Sequence, residues 1–135
     1  MKPKQIVVSG KRKRAIARPI LNDGTGKVTI NNKSHKYLQM IDMLKIEEPL
    51  RIAENILGKL NFDVNIVVRG GGEKGQVEAA RLSLARAIVK FSNSKKLLEA
   101  YTEYDRTLLV ADVRRKETNK PGDSKARSKR QSSKR

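Results

Sequence analysis

The chain has 135 residues, enough for one compact domain and little more, and carries 31 Lys or Arg against 14 Asp or Glu, a formal charge of +17. A chain so basic repels itself unless a polyanion neutralises it, so its partner is expected to be nucleic acid or an anionic membrane surface. It has no Cys and one His, which excludes disulfides, thiolate metal sites and the common zinc sites.

The membrane alternative lacks an apolar run approaching the roughly 20 residues of a span. The start, Met1-Lys2-Pro3-Lys4, lacks the apolar stretch of a secretion signal. The expectation is a soluble, intracellular nucleic-acid-binding protein with no cofactor, no membrane partner and no homo-oligomer.

In chain order, residues 5–9 read as a strand from their β-branched side chains. Gly10 then opens the basic cluster Lys11-Arg12-Lys13-Arg14. A second strand is predicted over 14–21, at an edge or bulged at Pro19, which has no N–H for a ladder. Asn22-Asp23-Gly24-Thr25-Gly26 is a turn, and 27–31 alternates as a half-buried strand. His35 falls in a polar connection, exposed or locally hydrogen-bonded. A short helix is predicted at 37–44. A clearer one starts at Glu47-Glu48-Pro49, with acids and Pro in its first turn and Leu50, Ala53, Ile56, Leu57 and Leu60 on one face.

Residues 62–68 alternate as a strand with one core face. The longest helix is predicted over 74–91, with Val77, Ala80, Leu84, Ala87, Ile88 and Phe91 as its stripe and Arg86 and Lys90 opposite. Arg81 lies at the margin of the stripe, its stem packed and its guanidinium outward. Asn93 or Ser94 caps a further helix through about 102, and 105–110 is a short ordered segment. From Asp112 the character changes: residues 112–135 hold ten Lys or Arg, three acids and only Val113 and Ala126 as apolar side chains. That segment cannot bury enough apolar surface to offset its conformational entropy, so it is expected to be disordered alone and extended on an anionic partner. The division is a globular RNA-binding domain at 1–111 and a basic tail at 112–135.

Arg69-Gly70-Gly71-Gly72-Glu73-Lys74-Gly75-Gln76 contains G-x-G-x-x-G between a strand and a helix. The acid-ended parallel strand of a dinucleotide site is missing about 20 residues later. Two readings remain: a plain strand-to-helix turn, or a phosphate cradle of glycine N–H groups and a helix N-terminus, with Arg69 and Lys74 adding charge. The cluster Lys11 to Arg14, with Arg18, is either a solvated loop or part of a phosphate-contacting surface. Five aromatics, with no aromatic sheet face, point to phosphates and RNA shape over base readout. Without a Cys nucleophile or a paired His, catalysis has little support, and no enzyme is expected.

Four segments together resemble one family over nearly the whole chain. They are Gly10-Lys-Arg-Lys-Arg-Ala-Ile-Ala-Arg18; Gly24-Thr-Gly-Lys-Val-Thr-Ile-Asn-Asn32; the run from Arg69 to Val89; and the tail, with Arg114-Arg-Lys-Glu117, Lys120-Pro-Gly122, Ala126-Arg127, Lys129-Arg-Gln131 and Ser133-Lys-Arg135. They are similar to the S-nine family of small-subunit ribosomal proteins. Glu103 to Asp112 looks archaeal or eukaryotic, whereas the terminal Ser-Lys-Arg looks bacterial.

The resemblance implies an α/β (α+β) fold of the ribosomal S-five second-domain type. That is a sandwich of a four-stranded mixed sheet with helices, a left-handed β-α-β crossover and an extended basic C-terminal tail. It implies a structural constituent of the small-subunit head in the cytoplasm, whose partners are small-subunit ribosomal RNA, neighbouring head proteins and the peptidyl-site transfer RNA. The ribosomal RNA contacts it implies are Lys11, Arg12, Lys13, Arg14, Arg18, Arg69, Gly70, Gly71, Gly72, Lys74, Gln76, Arg81, Arg114, Arg115, Lys120, Lys125 and Arg127. Lys129, Arg130, Ser133, Lys134 and Arg135 are implied to lie near transfer RNA, and a tail of this length spans roughly 80 Å at ~3.3 Å per residue. The alternatives are a free, sequence-independent nucleic-acid chaperone and, by likeness of fold, a small-molecule kinase, which would need a Ser-rich loop and a metal-binding carboxylate near 70–76.

Overall fold

A computed structural model of the chain describes residues 6–132. A short strand β1 (Gly10–Arg12) turns back through Lys13 and Arg14 into β2 (Ala15–Asp23). Lys13 takes the left-handed conformation that so tight a turn requires, at φ 54°. β3 (Val28–Ile30) and the two-residue β4 (Lys33–Ser34) follow, then a 3-10 turn at His35–Tyr37 and the helix α1 (Met40–Leu57). β5 (Phe62–Arg69), α2 (Glu73–Ser92), α3 (Lys95–Tyr104) and a 3-10 turn at Arg106–Leu108 complete the described body.

The five strands form one mixed sheet in the order β1-β2-β5-β3-β4. β2 runs antiparallel to both β1 and β5, and β3 runs parallel to β5, so α1 lies in the connection between two parallel neighbours. The α+β class is as the resemblance implies; the sheet has five strands instead of four, the smallest being β4.

Strict alternation drives β2 and β5 into place. Ala15, Ala17, Pro19 and Leu21 on β2, and Phe62, Val64, Ile66 and Val68 on β5, turn to the helices and are buried. α2 lies against this face. It buries the predicted stripe residues Val77, Ala80, Leu84, Ala87 and Ile88, and also Ala79, Leu82, Ser83 and Ala85, because β1 crosses it at Ala79 and Ser83 while α1 and α3 lie against its other faces. Small side chains let the layers close: a Cβ on Gly10 would stand 2.4 Å from the Ala79 carbonyl oxygen, so β1 crosses α2 where only glycine fits. Full burial of Ile46, Ile66, Leu84 and Ile88 contributes roughly 1.5–3 kcal/mol each.

Two expectations are corrected here. Residues 6–9 form no strand. Continuing the β1–β2 register would set Val8 opposite Pro19, which has no N–H to donate, so pairing stops at Gly10. Among the described residues that side of β2 therefore has no partner strand beyond Ala17, and Pro19 sits at the edge the sequence called for.

The two predicted helices at 37–44 and from 47 are one, with Pro49 inside α1. Pro49 is buried between the buried Ile46 and Ala53, and the Tyr101 hydroxyl donates to its carbonyl at 2.7 Å. That packing offsets the ~3 kcal/mol a mid-helix proline costs. Glu47 and Glu48 are consequently mid-helix, not terminal.

Of the two readings of His35 the hydrogen-bonded one holds: it is buried, with Nδ1 3.2 Å from the Val28 carbonyl and Nε2 3.5 Å from Glu47. Arg86 and Lys90, on the side of α2 opposite the stripe, meet backbone of the segments before β1 and after α3. Arg86 donates to the Leu109 and Ser9 carbonyls, each at 2.9 Å, and Lys90 donates to the Val7 carbonyl at 3.2 Å.

Ser94 caps α3 by accepting the Leu97 N–H. Described residues 112–132 contain neither helix nor strand. Lys120-Pro121-Gly122-Asp123 closes a tight turn, with Gly122 at φ +83° and the Asp123 N–H donating to the Lys120 carbonyl at 3.2 Å.

Candidate nucleic-acid interface

The basic hairpin tip, the glycine loop and the start of the tail converge. Arg12, Lys13, Arg14, Gly71, Gly72, Arg114, Arg115 and Lys116 line one open groove of about 810 Å³. These residues come from three distant parts of the chain. The loop joins them because Gly70 (φ +76°) and Gly71 (φ +68°) take left-handed conformations while their backbones press on the hairpin. A Cβ on Gly70 would come within 2.8 Å of the Arg14 carbonyl oxygen, and one on Gly71 within 2.9 Å of the Ala15 nitrogen. Gly72 then starts α2 without a side chain to cap it, so the helix's positive end opens toward the same groove. The Gln76 amide closes the loop by donating to the Gly70 carbonyl at 3.1 Å.

On the sheet face away from the helices, Arg18 and Arg69 are exposed and sit two register pairs apart, Arg18 opposite Val67 and Arg69 opposite Ile16. Lys11 lies on the same exposed side, opposite Ile16. With the half-exposed Ile16 and Ile20, they make this face both basic and apolar.

Not every predicted contact is free to meet a ligand. The Arg81 guanidinium is turned inward, 2.7 Å from Glu48 and 3.5 Å from Asp105, with its side chain 13% exposed. The outward guanidinium expected from its place on the stripe is thus replaced by an ion pair joining α2 to α1 and to the segment after α3. Burial pushes the Asp105 carboxyl up, but hydrogen bonds from Thr107 and the charge of Arg81 outweigh it and hold it below the usual aspartate range. Arg12 is fixed to Glu78 at 2.6 Å and lies 3.6 Å from Asp112. Lys74 reaches across to Asp42, 3.0 Å from both carboxylate oxygens.

In the tail, Lys120 (3.8 Å) and Arg127 (2.8 Å) share Glu117, and Arg130 donates to the Gly122 carbonyl at 2.9 Å. Lys125 and Lys129 are exposed. Ser133, Lys134 and Arg135 lie outside the described residues.

Two residues of the interface escaped sequence reasoning. Lys116 lines the groove, yet in the sequence it is one more charge in a charge run. Asp112 binds Arg114 and lies by Arg12; the signal was a lone acid placed where the basic segment begins.

A mixed sheet backed by three helices, with a groove of converging cations, defines an α+β protein whose charge suits a polyanion. Among the described residues no group of three or more His, Asp or Glu is arranged to hold a metal, and no helix is long and apolar enough to cross a membrane. The pattern of the family described as "Ribosomal protein S9/S16" matches residues 10–135. The "Small ribosomal subunit protein uS9" of Methanococcus vannielii is 44% identical over 120 residues, covering 85% of each chain. That of Thermoplasma volcanium is 42% identical over 130 residues, covering 95% of this chain and 96% of its own. That of Pyrobaculum aerophilum is 44% identical over 131 residues, covering 96% and 90%. The chain belongs to this family of small-subunit ribosomal proteins, whose members are structural components of the ribosome rather than enzymes.

Proposed function

We propose that this protein holds ribosomal RNA in the head of the small subunit of cytoplasmic ribosomes, and that its tail reaches the peptidyl-site transfer RNA. The observation carrying the reading is the convergence of the hairpin tip, the glycine loop and the tail root on one basic groove. Arginine forks and glycine N–H groups suit phosphate oxygens, so attachment follows RNA shape and backbone more than base sequence. In this reading 1–111 is the RNA-bound body and 112–135 the arm. Lys13, Arg14, Arg18, Arg69, Gly70, Gly71, Gly72, Arg114 and Arg115 meet ribosomal RNA first. Lys120, Lys125 and Arg127 follow along the arm, and Lys129, Arg130, Ser133, Lys134 and Arg135 lie toward transfer RNA. Arg12, Lys74, Gln76 and Arg81 serve the interface by holding it together.

Deleting 128–135 tests the arm. The shortened chain should fold and sediment with small subunits, while subunits carrying it bind peptidyl-site transfer RNA about tenfold more weakly, roughly the loss of one or two charge-assisted contacts. Unchanged transfer RNA affinity would remove the arm's assigned role. A chain that stays at the top of a sucrose gradient would favour the free chaperone.

A further inference from the structure

A carboxylate beside a surface meant for phosphates repels the ligand, so the placing of Asp112 asks for a physical reason. Its Oδ1 accepts the Arg114 backbone N–H at 3.0 Å, and its two oxygens take the Arg114 guanidinium at 2.7–3.1 Å. Arg12 lies 3.6 Å from Oδ2, is itself fixed to Glu78 of α2, and donates to the Arg114 carbonyl at 3.4 Å. One residue on, Arg115 donates to the Lys13 carbonyl at the hairpin tip. Upstream, Arg86 holds the Leu109 carbonyl. The chain is therefore staked to the body from 109 to 115. The side-chain hydrogen bonds of Arg127 and Arg130 further along stay within the tail.

We propose that Asp112 is a positioning residue for RNA attachment. By bridging Arg12 and Arg114 it turns the chain onto the β1–β2 hairpin, so that Arg114 and Arg115 stand in the groove wall before RNA arrives. This inference deepens the RNA-binding function proposed above and rests on it. Its benefit is pre-organisation: an arm placed in advance loses less freedom on binding than one that must be found and ordered.

Charge and positioning predict opposite signs for Asp112→Asn, which keeps the side chain's size and removes one negative charge. Charge alone predicts tighter binding of small-subunit ribosomal RNA. Positioning predicts binding about three- to tenfold weaker, the loss when a pre-placed arm becomes a free one. Glu117→Gln makes the same charge change within the tail and should bind at least as tightly as the unaltered chain; Asp112→Glu should recover most of the loss. Filter retention of the full chain on that RNA across a salt series reads these affinities.

A second measurement needs no RNA. The chain has no Cys, so spin labels at Asn55→Cys and Thr118→Cys report the arm's direction, and Asp112→Asn should broaden their distance distribution. Equal or tighter RNA binding by Asp112→Asn, or an unchanged distribution, overturns the proposal. Failure of the unaltered chain to bind RNA would count against the functional reading instead, while the label distances still decide the role of Asp112.

Discussion

Arginines of the body and arginines of the tail put the same guanidinium to different uses. Arg12 and Arg81 have side chains 12% and 13% exposed, each held by two acids from other parts of the chain. Arg114 and Arg127 are 79% and 87% exposed, and each pairs with an acid of its own segment, where water screens the attraction. The difference teaches that a +17 charge is not one reservoir for a polyanion. The desolvated cations bind layers of the fold to one another, because removing one would leave partly buried carboxylates unpaired. Arg127, whose acid lies wholly within the tail, gives up a weak partner at little cost when a phosphate replaces it, whereas Arg114 shares Asp112 with Arg12 and so stays tied to the body.

Arg81→Ala would break the comparison most forcefully. Glu48 and Asp105 lose their common partner, and stability should fall by about 2–3 kcal/mol, below the loss for a fully buried pair. A denaturant midpoint reads this, with the salt slope of RNA binding nearly unchanged; a folded variant with a shallower slope would make Arg81 a phosphate contact after all.

Arg69→Ala is the converse, since Arg69 is exposed at the end of β5. Stability should change by less than about 0.5 kcal/mol. The plot of log affinity against log salt should flatten by roughly one unit, the signature of one lost phosphate contact.

Acid gives the smallest effect. Asp63 accepts the Lys27, Thr25 and Gly26 N–H groups at 2.9, 2.9 and 3.1 Å, and these bonds hold its carboxyl below the ordinary 3.8. A group depressed in the folded state stabilises above its unfolded value and loses that contribution as pH falls through the folded one. The melting temperature should therefore drop as pH goes below about 3.8. Asp63→Asn should melt lower at neutral pH and show a shallower acid slope; an unaltered slope would mean that the carboxylate does not hold the 24–27 turn.

Legibility followed the range of the interaction. The alternation of Phe62, Val64, Ile66 and Val68 and the stripe from Val77 to Ile88 were readable because period 2 and period 3.6 are written in neighbouring residues. The burial of Ala79, Ser83 and Ala85 was not, since small side chains carry almost no hydrophobic signal and are buried by what distant elements bring, β1 at Ala79 and Ser83 among them. Pro49 was read as a helix start because local chemistry says so; the Tyr101 hydroxyl that accompanies it inside α1 comes from 52 residues away. In the interface, the basic cluster, the glycine loop and the tail stood out as motifs, whereas their meeting in one groove did not.

What the residues in order determined by themselves is the charge class, the strands and helices with strong periodicity, the turn at Asn22 to Gly26, and the motifs that mark the family. Each depends on positions a few residues apart, and the chain carries that information before it folds. Only tertiary structure decided which cations remain open to a polyanion. Arg12 meets Glu78 across 66 positions and Arg81 meets Glu48 across 33. Whether a guanidinium is spent inside or offered outside follows from which layers pack together, and that depends on the whole core closing at once.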